Sequence, residues 1–149
     1  LAPPEWTTIS HVWERAIELA LHTAPNFYPV YIHRDYHPTN VLWHKGALSG
    51  VVDWITACRG PAGVDVAHCR INLAKMFGIA AADQFLETYS EVSEGFEYNP
   101  YWDVDSLLDT CIPRPKFYPP WRDFGLDIIP PEMLNQRVDT YIESVMERI

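Results

Sequence analysis

Apolar residues recur every three or four positions in several stretches of the chain, the spacing that places them on one face of a helix. The first stretch begins at Ser10 and the second at Asp65, and both residue types favour the N-cap position. Three further stretches cover about residues 85–92, 100–111 and 131–149. This pattern predicts a mostly helical domain.

Two short runs of strand-forming residues lie between the first two helices. Residues 41–44 and 51–54 are joined by a segment whose length and glycine content are typical of a hairpin. We expect Trp43 and Trp54, one in each run, to lie in the core. Residues 113–121 contain too many prolines for regular structure and are predicted to be an irregular connection. The predicted fold class is α+β, mostly helical, with one short β-hairpin.

The composition indicates one folded domain. Among 149 residues, 48% are hydrophobic and 21% are charged, a balance that excludes a disordered chain. No apolar run approaches the roughly 20 residues that span a bilayer, and no signal peptide is recognisable, so we expect a cytoplasmic protein without a membrane partner. The three cysteines form no Cys-x-x-Cys pair, which favours reduced, structural thiols.

The net charge of −9 repels phosphate backbones and therefore argues against nucleic acid as a partner. The same charge would attract a metal ion or a cationic substrate. Ordinary acidic solubility explains the charge equally well, so both interpretations stay open.

The candidate chemistry lies in a loop before the hairpin and at its exit. His33, Asp35 and Asn40 form the pattern His-x-Asp-x-x-x-x-Asn, and Asp53 follows after one strand-turn-strand unit. Phosphoryl transfer needs a carboxylate to receive the proton of the attacking hydroxyl, and oxygen ligands for Mg²⁺. We expect Asp35 to be the base and Asn40 with Asp53 to bind Mg²⁺.

These residues resemble the catalytic loop of protein kinases, and more closely that of the aminoglycoside phosphotransferase and choline kinase family. That family has His-x-Asp-x-His-x-x-Asn followed by two apolar residues, and a hairpin that ends in two apolar residues and Asp-Trp. The chain matches at His33, Asp35, His37, Asn40, Val41, Leu42, Val51, Val52, Asp53 and Trp54. The resemblance implies the C-terminal lobe of a protein-kinase-like fold and an ATP- and Mg²⁺-dependent kinase that phosphorylates a small-molecule hydroxyl.

Three further residues are expected to support the loop. His33 is predicted to be a buried support, whereas His37 would contact phosphate or substrate, or be a structural loop residue. By resemblance, Asp65 is the acid that begins the next helix and steadies the loops, although helix capping alone would explain it. Arg34 and Thr39 stand where the family commonly has glycine, which loosens the inference to aminoglycosides.

A segment of alternating acidic and aromatic residues is the candidate acceptor site. Tyr101, Trp102, Asp103 and Asp105 would suit a cationic amine or sugar through ion pairing and cation–π contact. A solvated helix face is the alternative. The acceptor itself, whether aminoglycoside, macrolide, choline, homoserine or a sugar-like metabolite, is not selected by the sequence.

The opening 44 residues contain no glycine and no lysine, so they cannot form a glycine-rich phosphate loop with a phosphate-pairing lysine. We therefore expect residues 1–149 to be a single domain, the C-terminal catalytic lobe, without its N-terminal nucleotide-clamping lobe. We expect this lobe alone to have no phosphotransferase activity.

Two rival functions remain. The first is a non-catalytic, kinase-like binding domain. The second is a non-haem iron enzyme in which His33, Asp35 and His68 bind the metal, a triad usually found in an all-β barrel.

Overall fold

The computed structural model describes residues 1–22 and 24–149, which form five α-helices and four short strands. About half of the chain is helical, and the strands pair into two small antiparallel sheets, which confirms the predicted α+β class. The helices are α1 (Ser10–Ala20), α2 (Ala62–Phe77), α3 (Ile79–Val92), α4 (Tyr101–Cys111) and α5 (Pro131–Met146). The strands are β1 (Pro29–Ile32), β2 (Val41–His44), β3 (Ala47–Val51) and β4 (Cys58–Pro61).

The predicted hairpin forms, but its turn is shorter than expected. Val41 pairs with Val51, and the strands are joined by Lys45 and Gly46 alone. Both turn residues have positive φ, 51° and 78°, the conformation of a type I′ turn, which matches the twist of the strands. Strand β3 ends at Val51, whereas the predicted run covered residues 51–54. Asp53 therefore lies beyond the strand and not within it as predicted.

Strand β4 is absent from the sequence prediction. It pairs with β1, opposite Val30 and Ile32, and so carries the chain directly into α2. Gly60 leaves room in this strand for the buried Ile32 side chain, whose Cδ1 atom would lie 2.5 Å from a Cβ at that position.

The predicted N-caps of the first two helices are wrong. Ser10 is the first residue of α1, and its side chain makes no capping bond. Helix α2 begins at Ala62, so Asp65 lies inside the first turn. Its carboxylate is directed to another segment, as described below. The last helix begins at Pro131, as predicted.

The core is built around α2, which packs against α3, α4, α5 and β1. Its apolar face contributes Ile71 and Ala74, both fully buried. The irregular connection predicted over residues 113–121 is confirmed up to Tyr118, and a 3-10 turn follows at Pro119–Phe124. Trp121 in that turn is buried against the C-terminal end of α2 and fixes the connection to the core.

A buried ion pair joins α2 to α4. Arg70, fully buried, donates to the carboxylate of Asp103, which also accepts hydrogen bonds from the hydroxyls of Tyr98 (2.6 Å) and Tyr141 (2.5 Å). A second carboxylate, that of Asp83 on α3, lies 3.0 Å from Arg70. The network around this guanidinium group therefore joins five segments of the core: α2, α3, α4, α5 and the segment before α4.

The expectation that Trp43 and Trp54 are core residues is wrong, since 62% and 44% of their surfaces are exposed. Trp54 packs against the rings of Tyr31 and His33 but is not enclosed, and Trp43 lies on the exposed hairpin. None of the helices in the described part of the chain has both the length and the apolar character needed to cross a bilayer.

We predict that Asp103→Ala destabilises the domain by about 3–5 kcal/mol, because it leaves the buried Arg70 cation without its main partner. Urea unfolding followed by circular dichroism measures the loss. Asp105→Ala, an exposed site on the same helix, is the control and should change the unfolding free energy by less than about 0.5 kcal/mol. Equal effects of the two variants would contradict the role given to the ion pair.

Candidate active site

The loop between β1 and β2 is held in place by the Asp65 carboxylate of α2. One oxygen accepts the backbone N–H of His33 at 2.6 Å and the other accepts that of Arg34 at 2.7 Å. Arg34 has a φ of 69°, a left-handed conformation that costs a residue with a side chain about 1–2 kcal/mol. The two charge-assisted bonds offset this cost, since each is worth about 1.5–3 kcal/mol.

His33 ties the same loop to the exit of the hairpin. Its ring lies buried, with Nε2 2.7 Å from the carbonyl oxygen of Val52 and Nδ1 accepting the backbone N–H of Asp35 at 3.2 Å. Because Nδ1 is an acceptor, the proton must be on Nε2, which donates to Val52. Both ring nitrogens therefore have a hydrogen-bond partner in the backbone.

Asp35 is placed at the centre of a polar cluster. Its Oδ1 atom lies 3.4 Å from Nε2 of His37 and 3.2 Å from Nε2 of His68, and its backbone carbonyl accepts from the Asn40 amide at 2.9 Å. The side chain is still 43% exposed. A carboxylate fixed on one side and open on the other can accept a proton from a bound molecule.

Burial favours the neutral form of both histidines beside Asp35. Burial lowers the pKa of His37 and of His68, and the nearby carboxylate of Asp35 reverses only part of that shift. The Nδ1 atom of His37 is 2.7 Å from the Thr39 hydroxyl, which leaves Nε2 to face Asp35. The sequence identified His37 as a loop residue, and it connected His68 with Asp35 only through the iron hypothesis.

Asn40 and Asp53, the predicted magnesium ligands, are brought to the same end of the hairpin. The N–H of Val52 donates to the Asn40 carbonyl at 2.9 Å, one residue from Asp53. Asn40 uses its amide NH₂ toward Asp35, which leaves its amide oxygen available. Within the described residues, the Asp53 carboxylate has no hydrogen-bond donor. Amide and carboxylate oxygens are hard donors of the kind that Mg²⁺ binds, so the residues present fit that ion.

A cavity of about 510 Å³ adjoins Asp35. One wall is α2, which contributes His68, Asn72 and Lys75. The opposite wall comes from the end of α4 and the irregular connection, over residues 110–121. Sequence reasoning missed Asn72 and Lys75, although a signal existed: with Asp65 and His68 they recur at three and four positions, on one helix face.

The acidic and aromatic residues predicted to contact substrate do not line this cavity. Asp103 is buried in the Arg70 network, and neither Tyr101 nor Asp105 borders either of the two larger cavities. Trp102 borders the second, of about 760 Å³, together with Glu94 and Glu97. The structure thus separates the acidic, aromatic segment from Asp35.

The triad expected for an iron enzyme is not assembled as predicted. His33 is engaged by Val52 and Asp35, and the fold is not the all-β barrel that such a triad usually needs. His37 takes its place beside Asp35 and His68, and the three possible ligand atoms lie within 4.8 Å of one another. Two imidazoles and a carboxylate suit a transition metal better than Mg²⁺.

The comparison with known families confirms the family resemblance. A family model described as "Phosphotransferase enzyme family" matches residues 1–104, which include the loop, the hairpin and helix α2. The match ends before the irregular connection that forms one wall of the cavity. No curated protein and no solved structure matches the chain.

We predict that the domain loses stability as the pH falls from 7.5 to 5.5. The pKa of His37 and that of His68 are lower in the folded than in the unfolded chain, so their contribution is complete above about pH 6.5 and is lost as the pH falls through the folded values. Urea unfolding at both pH values measures the loss.

His68→Gln should reduce this pH dependence, whereas His11→Gln, at an exposed site on α1, should leave it unchanged. A pH dependence that is the same in both variants would contradict the assignment to the buried pair.

Proposed function

Because this chain belongs to the phosphotransferase enzyme family, we propose that it transfers the γ-phosphoryl group of ATP to a hydroxyl of a small molecule, with Asp35 as the general base. The observation that carries the proposal is the position of Asp35. Its carboxylate is held by the loop and the two histidines, yet it remains accessible at the edge of a cavity large enough for a metabolite.

The proposed reaction has one proton transfer. Asp35 accepts a hydrogen bond from the acceptor hydroxyl and receives its proton as the oxygen attacks the γ-phosphorus. The bond from that phosphorus to the bridging oxygen breaks, and ADP leaves. Phosphoryl transfer requires little covalent chemistry from the protein, so positioning and charge account for most of the rate.

The histidines support this role because burial favours their neutral form. A neutral N–H from His37 and another from His68 can orient the Asp35 carboxylate without forming a full ion pair with it. Two imidazolium groups at the same distances would hold the carboxylate in its ionised form more tightly and make it a weaker base.

Asn40 and Asp53 are the residues that would hold Mg²⁺. When bound, the ion would neutralise charge on the nucleotide phosphates. The positions of both residues at one end of the hairpin support this part of the proposal, as does the availability of their oxygens. ATP and Mg²⁺ are abundant in the cytoplasm, which is where we place the reaction.

We further propose that residues 1–149 act as the catalytic lobe and that a separate lobe clamps the nucleotide. The support is an exposed apolar surface on the hairpin side, where Tyr31 stacks on Trp54 with ring centroids 5.7 Å apart and Trp43 pairs with Leu48. Exposed large apolar side chains of this kind favour an interaction site. A lobe placed there would meet the nucleotide beside Asn40 and Asp53.

We predict that Asp35→Asn lowers turnover about 10²–10⁴-fold in the protein with both lobes and leaves ATP affinity nearly unchanged. Asp53→Ala should instead weaken ATP binding in the presence of Mg²⁺. ADP release measures turnover, and calorimetry measures binding. Asp105→Asn is the control for loss of a carboxylate. Full activity of Asp35→Asn would exclude this residue as the base, and binding without turnover in the wild type would favour the non-catalytic alternative.

We predict that the 149-residue chain by itself releases little or no ADP with any acceptor, because half of the phosphate-positioning groups are supplied by the other lobe. The measurement is a coupled ADP assay on the purified chain, with the two-lobed protein as the positive control. Comparable turnover by the two would contradict the two-lobe proposal and leave the chemistry of Asp35 intact.

A further inference from the structure

The cavity beside Asp35 contains a buried cation without a counter-ion. Lys75 lies on α2, two turns after His68, and only 7% of its surface is exposed. Within the described residues no carboxylate lies within 4.0 Å of its ammonium group. Its ammonium group lies 5.7 Å from the centroid of the Trp121 ring.

A lysine in this position is unusual on energetic grounds. Burial of an ammonium group costs several kcal/mol unless a counter-ion or hydrogen-bond acceptors compensate. The cost appears here as a pKa lowered by desolvation. An anion in the cavity would supply the missing partner.

The other charged residues of the cavity wall also favour an anion. Arg114 and Lys116 line the cavity too, whereas the acidic side chain in its lining is that of Asp35, already in contact with His37 and His68. A chain of net charge −9 therefore has a basic cavity at its candidate site. A polycationic acceptor would meet three like charges there.

We propose that this cavity binds an acceptor that carries an anionic group as well as hydroxyls, with Lys75 pairing with the anion. The proposal rests on the function proposed above, and it replaces the cationic acceptor that the acidic segment of the sequence favoured. With Asp35 at one part of the wall and Lys75 at another, the anion would orient the molecule so that a hydroxyl faces the base. A volume of about 510 Å³ accommodates a six-carbon polyol acid.

The test uses three compounds that share a six-carbon polyol chain and differ at one end: gluconate, glucitol and glucamine. Their charges are −1, 0 and +1. Calorimetry on the 149-residue chain and on the two-lobed protein, without ATP and with a chelator to remove transition metals, gives the affinities. We expect gluconate to bind about tenfold or more tightly than glucitol, and glucamine to bind most weakly. Glucitol 1-phosphate, a fourth compound that differs from glucitol at the same end, distinguishes a carboxylate from a phosphate as the preferred anion.

Lys75→Met should abolish the preference for gluconate, since it keeps the volume and removes the charge. Lys45→Met, at the exposed hairpin turn, is the matched control and should retain the preference. The sequence has only three lysines, Lys45, Lys75 and Lys116, so ¹³C-labelled lysine spectra of the unmodified chain resolve the same question should Lys75→Met fail to fold. Gluconate should move the Lys75 signal.

Equal affinity for gluconate and glucitol, tighter binding of glucamine, or an unmoved Lys75 signal would overturn the proposal. Failure of the proposed function is a separate outcome. Anion preference that depends on Lys75, together with no ADP release by the two-lobed protein for any acceptor, would refute phosphotransfer and leave the anion site standing. Turnover of glucamine that is unaffected by Lys75→Met would refute the anion site and leave phosphotransfer standing.

Discussion

The site depends on one carboxylate that holds two neighbouring backbone amides. Asp65 accepts the N–H groups of His33 and Arg34, and this fixes the start of the loop in a conformation that Arg34 would otherwise avoid. The His33 ring then donates a hydrogen bond to Val52 at the exit of the hairpin, and Asp35 lies beside His37 and His68. Without Asp65 the start of the loop would lose both of its hydrogen bonds to α2, and the base and the expected metal ligands would be less precisely placed.

Helix α2 serves two purposes on two faces. On one, Arg70 joins α4 through Asp103 and binds Asp83 of α3, which fixes the helix in the core. The other face contacts the loop through Asp65 and lines the cavity with His68, Asn72 and Lys75. Because the first face is buried and ion-paired, the second is presented by a rigid element, which is what precise placement of reacting groups requires.

Sequence reasoning recovered the elements whose signal is local. The pattern from His33 to Asn40 with Asp53, the helices and the hairpin all follow from short-range spacing. Strand β4 did not, because Cys58–Pro61 has no alternation and owes its pairing to Ile32, far away in sequence. The cavity was also missed, since its walls come from two distant stretches, residues 68–75 and 110–121, and the second has no periodicity. Trp43 and Trp54 were misplaced because residue type indicates a preference for burial and not what covers the residue.

The separation of the cavity wall from the catalytic loop has an evolutionary consequence. One wall of the cavity is formed by residues 110–121, a stretch that holds neither the base nor the expected metal ligands and lies beyond the family match. Arg114 and Lys116 line the cavity from this stretch and are exposed, so they can change without loss of the core in which Trp121 is buried. Duplicated copies of such a gene could therefore diverge in the molecule they select while the loop and hairpin that perform the chemistry stay the same.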